Sequence, residues 1–147
     1  MTSAKDDGRG ARGRVGEAHA QALLERLGFR LIDTNVRFGS TSGLVGEIDI
    51  IAWDGPTLCF VEVKTRRGTP GFVAPGEAVT PAKQRQIARL ALAYLTRHGL
   101  LDDSGNDGDM PIRFDVVSVV LAPGGSDALR RADLLRGAFL APDASDD

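Results

Sequence analysis

The chain has 147 residues, 42% of them apolar and 26% charged, which fits one globular domain burying roughly 70% of its unfolded surface and excludes a second large one. The formal charge of −2 provides no whole-protein attraction to nucleic acid or to an anionic membrane. The total conceals an asymmetry: residues 1–101 carry 14 basic and 10 acidic side chains (net +4), residues 102–147 carry 4 and 10 (net −6).

The N-terminus Met1–Gly10 is polar and no apolar run approaches the roughly 18 residues of a membrane span. Cys59 is the single cysteine and His19 and His98 are the two histidines, so neither an intrachain disulfide nor a Cys/His zinc site can form. These features predict a cytoplasmic protein without membrane contact. Cys59 lies within Leu58-Cys-Phe-Val, where burial would leave it inert.

Residues 1–13 are expected to form a flexible basic arm around Arg9 and Arg12, followed by one domain over 14–141 with a flexible acidic loop at 102–110 and a disordered tail at 142–147. Val15, Ala18, Ala22, Leu23 and Leu27 recur at helical spacing ahead of Gly28, predicting a helix over 14–27. Arg30–Val36 reads as a strand. Gly46–Trp53 and Thr57–Thr65, around Asp54-Gly55-Pro56, read as a hairpin. Because Pro56 lacks an N–H, the expected connection is a four-residue loop Trp53–Pro56 closed by Ala52 opposite Thr57. Thr80-Pro81 starts a second helix, over about 81–98, that stops at Gly99. Ile112–Leu121 is apolar enough to be a central strand, whereas Ala128–Leu140 is ambiguous between strand and short helix. The fold class is α/β, core order α-β-β-β-α-β, with a mixed sheet flanked by helices and a right-handed parallel crossover through the second helix.

Four charged residues interrupt the hairpin: Glu47 and Asp49 in Gly46-Glu-Ile-Asp-Ile-Ile51, and Glu62 and Lys64 in Phe60-Val-Glu-Val-Lys64. Spacing of i, i+2 puts each pair on one strand face. The expected loop sets Glu47 opposite Glu62, so the four charges share a face while Ile48, Ile50, Ala52, Cys59, Val61 and Val63 share the other. Three carboxylates facing one lysine repel unless a cation sits among them. Oxygen ligands suit Mg²⁺ or Mn²⁺, and an adjacent ammonium could orient a water and stabilise charge on a phosphate. Alternating charged and apolar residues also describes any half-solvated hairpin, but Phe60-Val-Glu-Val-Lys64 is too apolar for a solvated edge, and lysine is scarce, with three against fifteen arginines.

The hairpin motifs, together with Gly16-Glu17-x-x-Ala20, Asn35-x-Arg37, Glu77-Ala-Val-x-x-x-Lys83 and Arg113-Phe-Asp-Val-Val117, resemble the bacterial YraN family over about residues 12–121. That family is similar to archaeal Holliday-junction resolvases and to the restriction-endonuclease-like PD-(D/E)xK fold. The resemblance implies that Asp49 and Glu62 are metal carboxylates, Lys64 the catalytic lysine and Glu17 the helical glutamate completing the site; Glu47 belongs to the motif. Ile48 stands where proline is common, and Gly137 where Asn is expected.

The implied activity is Mg²⁺- or Mn²⁺-dependent hydrolysis of phosphodiester bonds in DNA, structured or branched, with the Val63 carbonyl as a further metal ligand and a homodimer suited to two-fold junctions. Arg66 and Arg67, ahead of a Gly/Pro-rich loop, are candidates for a phosphate clamp, and Lys83 and Arg37 are further candidate nucleic-acid contacts. Arg85 and Arg89 belong with Lys83 on a face that could equally be the solvated side of the second helix. Trp53 and Phe60 are candidates for stacking on a splayed base or for the core. The alternative from another class is a nucleic-acid-binding accessory protein with the same fold and little or no cleavage.

Overall fold

The computed structural model describes residues 9–68, 79–101 and 110–141. The expectations for 1–8, the Gly/Pro-rich loop at 69–78, the acidic loop at 102–109 and the tail at 142–147 lie outside these residues. The elements run α1 (Arg9–Arg26), β1 (Arg30–Val36), β2 (Ile48–Asp54), β3 (Thr57–Arg67), α2 (Pro81–Arg97), β4 (Ile112–Leu121) and β5 (Leu129–Phe139). They form an α/β fold in which two helices flank one mixed five-stranded sheet of order β1-β2-β3-β4-β5, consistent with a restriction-endonuclease-like architecture.

Both helices stop by the same device. Gly28, at φ 94°, ends α1 with Phe29 N–H donating to the Leu24 carbonyl at 2.9 Å and Gly28 N–H to Glu25 at 3.0 Å. Gly99, at φ 64°, ends α2 with Leu100 N–H donating to Leu95 at 2.9 Å and Gly99 N–H to Thr96 at 3.2 Å. These paired 6→1 and 5→2 bonds need a left-handed residue that glycine adopts without strain. Thr80 caps the start of α2, its Oγ1 accepting from Lys83 N–H at 3.2 Å, with Pro81 in the first turn. Helix α1 begins at Arg9, five residues earlier than periodicity predicts, so residues 9–13 of the expected flexible arm are helical.

Two apolar clusters sandwich the sheet. On one face Ile51, Leu58, Phe60, Phe114 and Val116 pack with Ile87, Leu90, Ala91, Tyr94 and Leu95 of α2. On the other, Ile50, Ala52, Cys59, Val61, Val117 and Val119 pack with Ala20 and Leu24 of α1. Fully burying each large aliphatic or aromatic side chain contributes about 1.5–3 kcal/mol. Strand β4, buried on both faces, lies parallel to β3 from Leu58↔Ile112 to Arg67↔Leu121, so α2 spans a parallel crossover as expected. Phe60 is core, edge-on to Tyr94 and stacked on Phe114, and Trp53 packs against the same cluster. This assigns both aromatics to packing.

Two expectations are corrected and one ambiguity is resolved. The hairpin closes with Asp54 opposite Thr57, and Ile50 pairs with Val61, so each residue pairs two positions away from the expected partner. Thr57 supplies the N–H that Pro56 lacks, and Gly55 at φ 59° allows a two-residue turn with positive φ at its first central position. A two-residue shift preserves which face each side chain takes, but Glu47, which precedes β2, loses the place expected opposite Glu62. Second, Ile48 joins Val36 in the α2-side cluster while Ile50 lies in the α1-side cluster. The alternation therefore breaks at the start of β2, next to Gly46 at φ 95°. Third, Ala128–Leu140 resolves as strand β5, antiparallel to β4, with a register irregularity between Phe114 and Val116. Gly137 lies opposite this irregularity at φ 63°, a conformation that Gly and Asn tolerate best.

Candidate active site

The start of β2 and the C-terminal half of β3 bring the sequence-predicted carboxylates together. Carboxylate oxygens of Glu17, Glu47 and Asp49 all lie within 4.8 Å of one another. Asp49 Oδ2 accepts the Val63 N–H at 2.9 Å, which ties β2 to the residue between Glu62 and Lys64. Glu62 is buried at 6% exposure, and its Oε2 stands 3.8 Å from both Lys64 Nζ and Lys83 Nζ.

Glu17 reaches the cluster from α1 because the neighbouring Gly16 lets the helix lie directly on β3. A Cβ at Gly16 would fall 1.8 Å from Thr65 Oγ1, closer than any side chain permits. Asn35 then joins the two glutamates: its Nδ2 donates to Glu17 Oε1 at 2.9 Å and to Glu47 Oε2 at 3.0 Å. Asn35 is left-handed at φ 51°, a conformation Asn tolerates better than other non-glycine residues. Arg37 Nε donates to the other Glu47 oxygen at 2.7 Å, with its side chain 75% exposed. The role of Asn35 was not assigned from sequence, although the Asn35-x-Arg37 spacing carries both side chains that hold Glu47.

Burial pushes the Asp49 carboxyl up to about 8; the Glu62 charge adds to this, as do Glu17 and Glu47, while the Val63 N–H opposes it. Burial also raises Glu62, offset in part by Lys83 and then Lys64. A carboxylate pair that resists ionisation because negative charge is concentrated and desolvated is suited to a cation. The donor set is all oxygen, which fits hard divalent ions such as Mg²⁺ or Mn²⁺ and not zinc of the Cys/His type.

The other predicted residues divide. Lys83 lies beside Glu62, 3.8 Å from its Oε2. Arg67 instead secures the connection between β4 and β5: its Nη1 donates to the carbonyls of Ala122, at 3.0 Å, and Ser126, and Asp127 lies 4.0 Å from Nη2. Its guanidinium is thereby committed to the fold. Arg66 is half-buried in β3 across from Val120. Cys59 is buried, and burial, with the Asp115 charge, pushes its thiol up to about 12, so it is no nucleophile.

A separate polar group lies toward the Asp54 end of the hairpin. Asp115, fully buried, receives Arg113 Nε at 2.7 Å and Nη2 at 2.9 Å and the Gly137 N–H at 2.9 Å. Asp54 Oδ2 accepts from Arg113 and Arg136 at 2.8 and 3.1 Å. Both carboxylates here accept from donors within the fold, which marks the group as structural.

Among the described residues no helix is long and apolar enough to cross a membrane. Residues 16–119 match the family described as "Uncharacterised protein family UPF0102". A UPF0102 protein of Symbiobacterium thermophilum is 51% identical over 129 residues, covering 86% of this chain and 96% of its own. One of Geobacter sulfurreducens is 52% identical over 109 residues, 74% and 75% of the two chains. One of Acidothermus cellulolyticus is 44% identical over 115 residues, 76% and 83%. The matched span contains all four clustered carboxylates, both lysines, Asn35 and Arg37, and on this evidence the chain belongs to the UPF0102 family.

Proposed function

We propose that the protein is a metal-dependent nuclease of the PD-(D/E)xK type, hydrolysing phosphodiester bonds in structured or branched DNA, and that it acts in the cytoplasm. The observation that carries this reading is the convergence of Asp49, Glu62 and Lys64 on two adjacent strands, with the Asp49 carboxyl raised by burial and then by its acidic neighbours. Asp49 and Glu62 would hold Mg²⁺ or Mn²⁺, with the Val63 carbonyl as a further ligand. Glu17 and Glu47 would receive the ion's bound waters. The ion supplies Lewis acidity toward a phosphoryl oxygen and lowers the pKa of bound water.

The remaining work belongs to the chain. Lys64 stands where its ammonium can orient the attacking water and stabilise negative charge developing on phosphorus. Lys83 faces the same carboxylate from α2 and adds a second positive charge for the phosphate. Asn35 and Arg37 hold Glu47 in place, as outer-shell partners do around metal carboxylates. Arg37, mostly solvent-exposed, remains available to a phosphate on its outer side, whereas the Arg67 clamp role is withdrawn. Two copies, one site on each strand, suit a two-fold junction.

Incubation of the purified protein with linear, flapped and four-way DNA in Mg²⁺ or Mn²⁺ tests the reading. Cleavage lost in Asp49→Ala and Lys64→Ala, with circular dichroism unchanged, is the expected result. Salt-sensitive DNA binding without cleavage in either metal would assign the protein to nucleic-acid binding alone.

A further inference from the structure

Among the described residues a cleft of about 420 Å³ lies between the segment Gly43–Val45 and the first turns of α2. Leu44, Ala82 and Leu90 give it apolar walls, and Lys83, Gln86 and Arg89 supply its polar groups. The outer wall is fixed in place. Ser42 Oγ accepts the Leu44 N–H at 3.0 Å after a short 3₁₀ turn at Ser40–Ser42. Gln86 Nε2 donates to the Val45 carbonyl at 2.7 Å. Glycine at 46 permits that approach, since a Cβ there would lie 2.6 Å from Gln86 Nε2. Val45, at the lip, is 75% exposed, an apolar side chain left without cover. Lys83 belongs to both places: it lines the cleft and lies 3.8 Å from Glu62, so the cleft adjoins the carboxylates.

Building on the nuclease reading, we propose that this cleft seats one unpaired nucleotide next to the scissile phosphate, and that the substrate class is DNA with an unpaired nucleotide at the cut. The volume falls within the roughly 300–1,000 Å³ of small-ligand sites, whose apolar walls and few placed polar groups it also shares. Leu44 and Leu90 offer apolar contact for the faces of a base, the Gln86 amide oxygen accepts from its edge, and Lys83 and Arg89 take the flanking phosphate. A base stacked within duplex cannot enter a cleft beside its own phosphate unless it is first unstacked and unpaired. A bulge, flap or junction presents such a nucleotide without that cost.

The test is fluorescence anisotropy of the full chain in Ca²⁺, with a duplex, the same duplex carrying a one-nucleotide bulge, and that bulge made abasic. The expected preference for the bulge over the duplex is about tenfold. Ala82→Trp, at an exposed position in the first turn of α2, fills the cleft and should abolish the preference with the circular dichroism spectrum unchanged; the abasic bulge should abolish it with the unaltered protein. An unaltered protein with no preference, or a preference that survives either change, overturns the proposal. Bulge preference without cleavage in Mg²⁺ or Mn²⁺ removes the nuclease reading and leaves the nucleotide cleft standing; cleavage without preference does the reverse.

Discussion

The Val63 N–H donates to Asp49 Oδ2 at 2.9 Å, so an acidic side chain of β2 is held by the backbone of β3 between Glu62 and Lys64. The bond fixes Asp49 where burial and three further carboxylates all oppose its ionisation. Without a cation, the site stores electrostatic strain that the surrounding sheet must hold.

Asp49→Asn is therefore expected to raise thermal stability in chelator while abolishing metal binding and cleavage. The amide oxygen can still accept from Val63, and the repulsion is removed. A gain on the order of 1 kcal/mol corresponds to about 2–5 °C at this length. Calorimetry in EDTA and then in Mn²⁺ checks it. The unaltered protein should gain from the metal, by mass action on the folded state, and the variant should not.

Gly16→Ala should separate α1 from β3 and withdraw Glu17 from the cluster, because the new methyl would overlap Thr65 Oγ1. Overpacking of this kind costs about 1–3 kcal/mol. Urea denaturation measures the loss, and isothermal titration with Mn²⁺ should show weaker binding. Adding Thr65→Ala, which removes the nearest atom, should restore part of both.

At Asn35 the backbone and the side chain can be tested apart. Asn35→Gly keeps the left-handed conformation and loses the bridge between Glu17 and Glu47; Asn35→Ala loses the bridge and strains the backbone. Alanine should be less stable than glycine here by about 1 kcal/mol, the reverse of the usual order in a strand. Equal denaturation midpoints would refute the conformational part.

Acid sensitivity should come in part from Asp54. Hydrogen bonding to Arg113, with help from Arg136, holds its carboxyl below the usual range. A depressed folded-state pKa gives stability that is complete above the unfolded value near 3.8 and is lost as pH falls through the lower folded value. Melting temperatures across pH 6 to 2 should fall less steeply at the acid end for Asp54→Asn than for the unaltered protein, from a lower starting point at pH 6.

Local rules fixed much of this protein in advance. Gly28 and Gly99 end their helices where the apolar stripes stop, Thr80-Pro81 starts α2, and the apolar run Val116–Leu121 becomes a central strand, because capping, fixed φ and burial act within a few residues. The positions of Asp49, Glu62 and Lys64 likewise put three charges on two adjacent strands whatever the turn, with Glu47 just ahead of β2, since strand periodicity survives a shift of two. What pattern could not decide was which atoms meet. The partner of Asp49 depended on the closing pair of one turn, and the Ile48 switch of face depended on the chain entering β2 at Gly46. Lys83, which reads as the wet side of a helix, comes within reach of Glu62 only after α2 is laid across the sheet. Arg67, which reads as a clamp, is claimed by carbonyls more than fifty residues away. Asn35 and Gly16 matter through contacts between α1, β1 and β3, and the wall of the cleft is tied to α2 where a glycine at 46 lets Gln86 approach. Spacing along the chain carries conformation and face; distances between elements are set by packing, and packing decides which charges share a site.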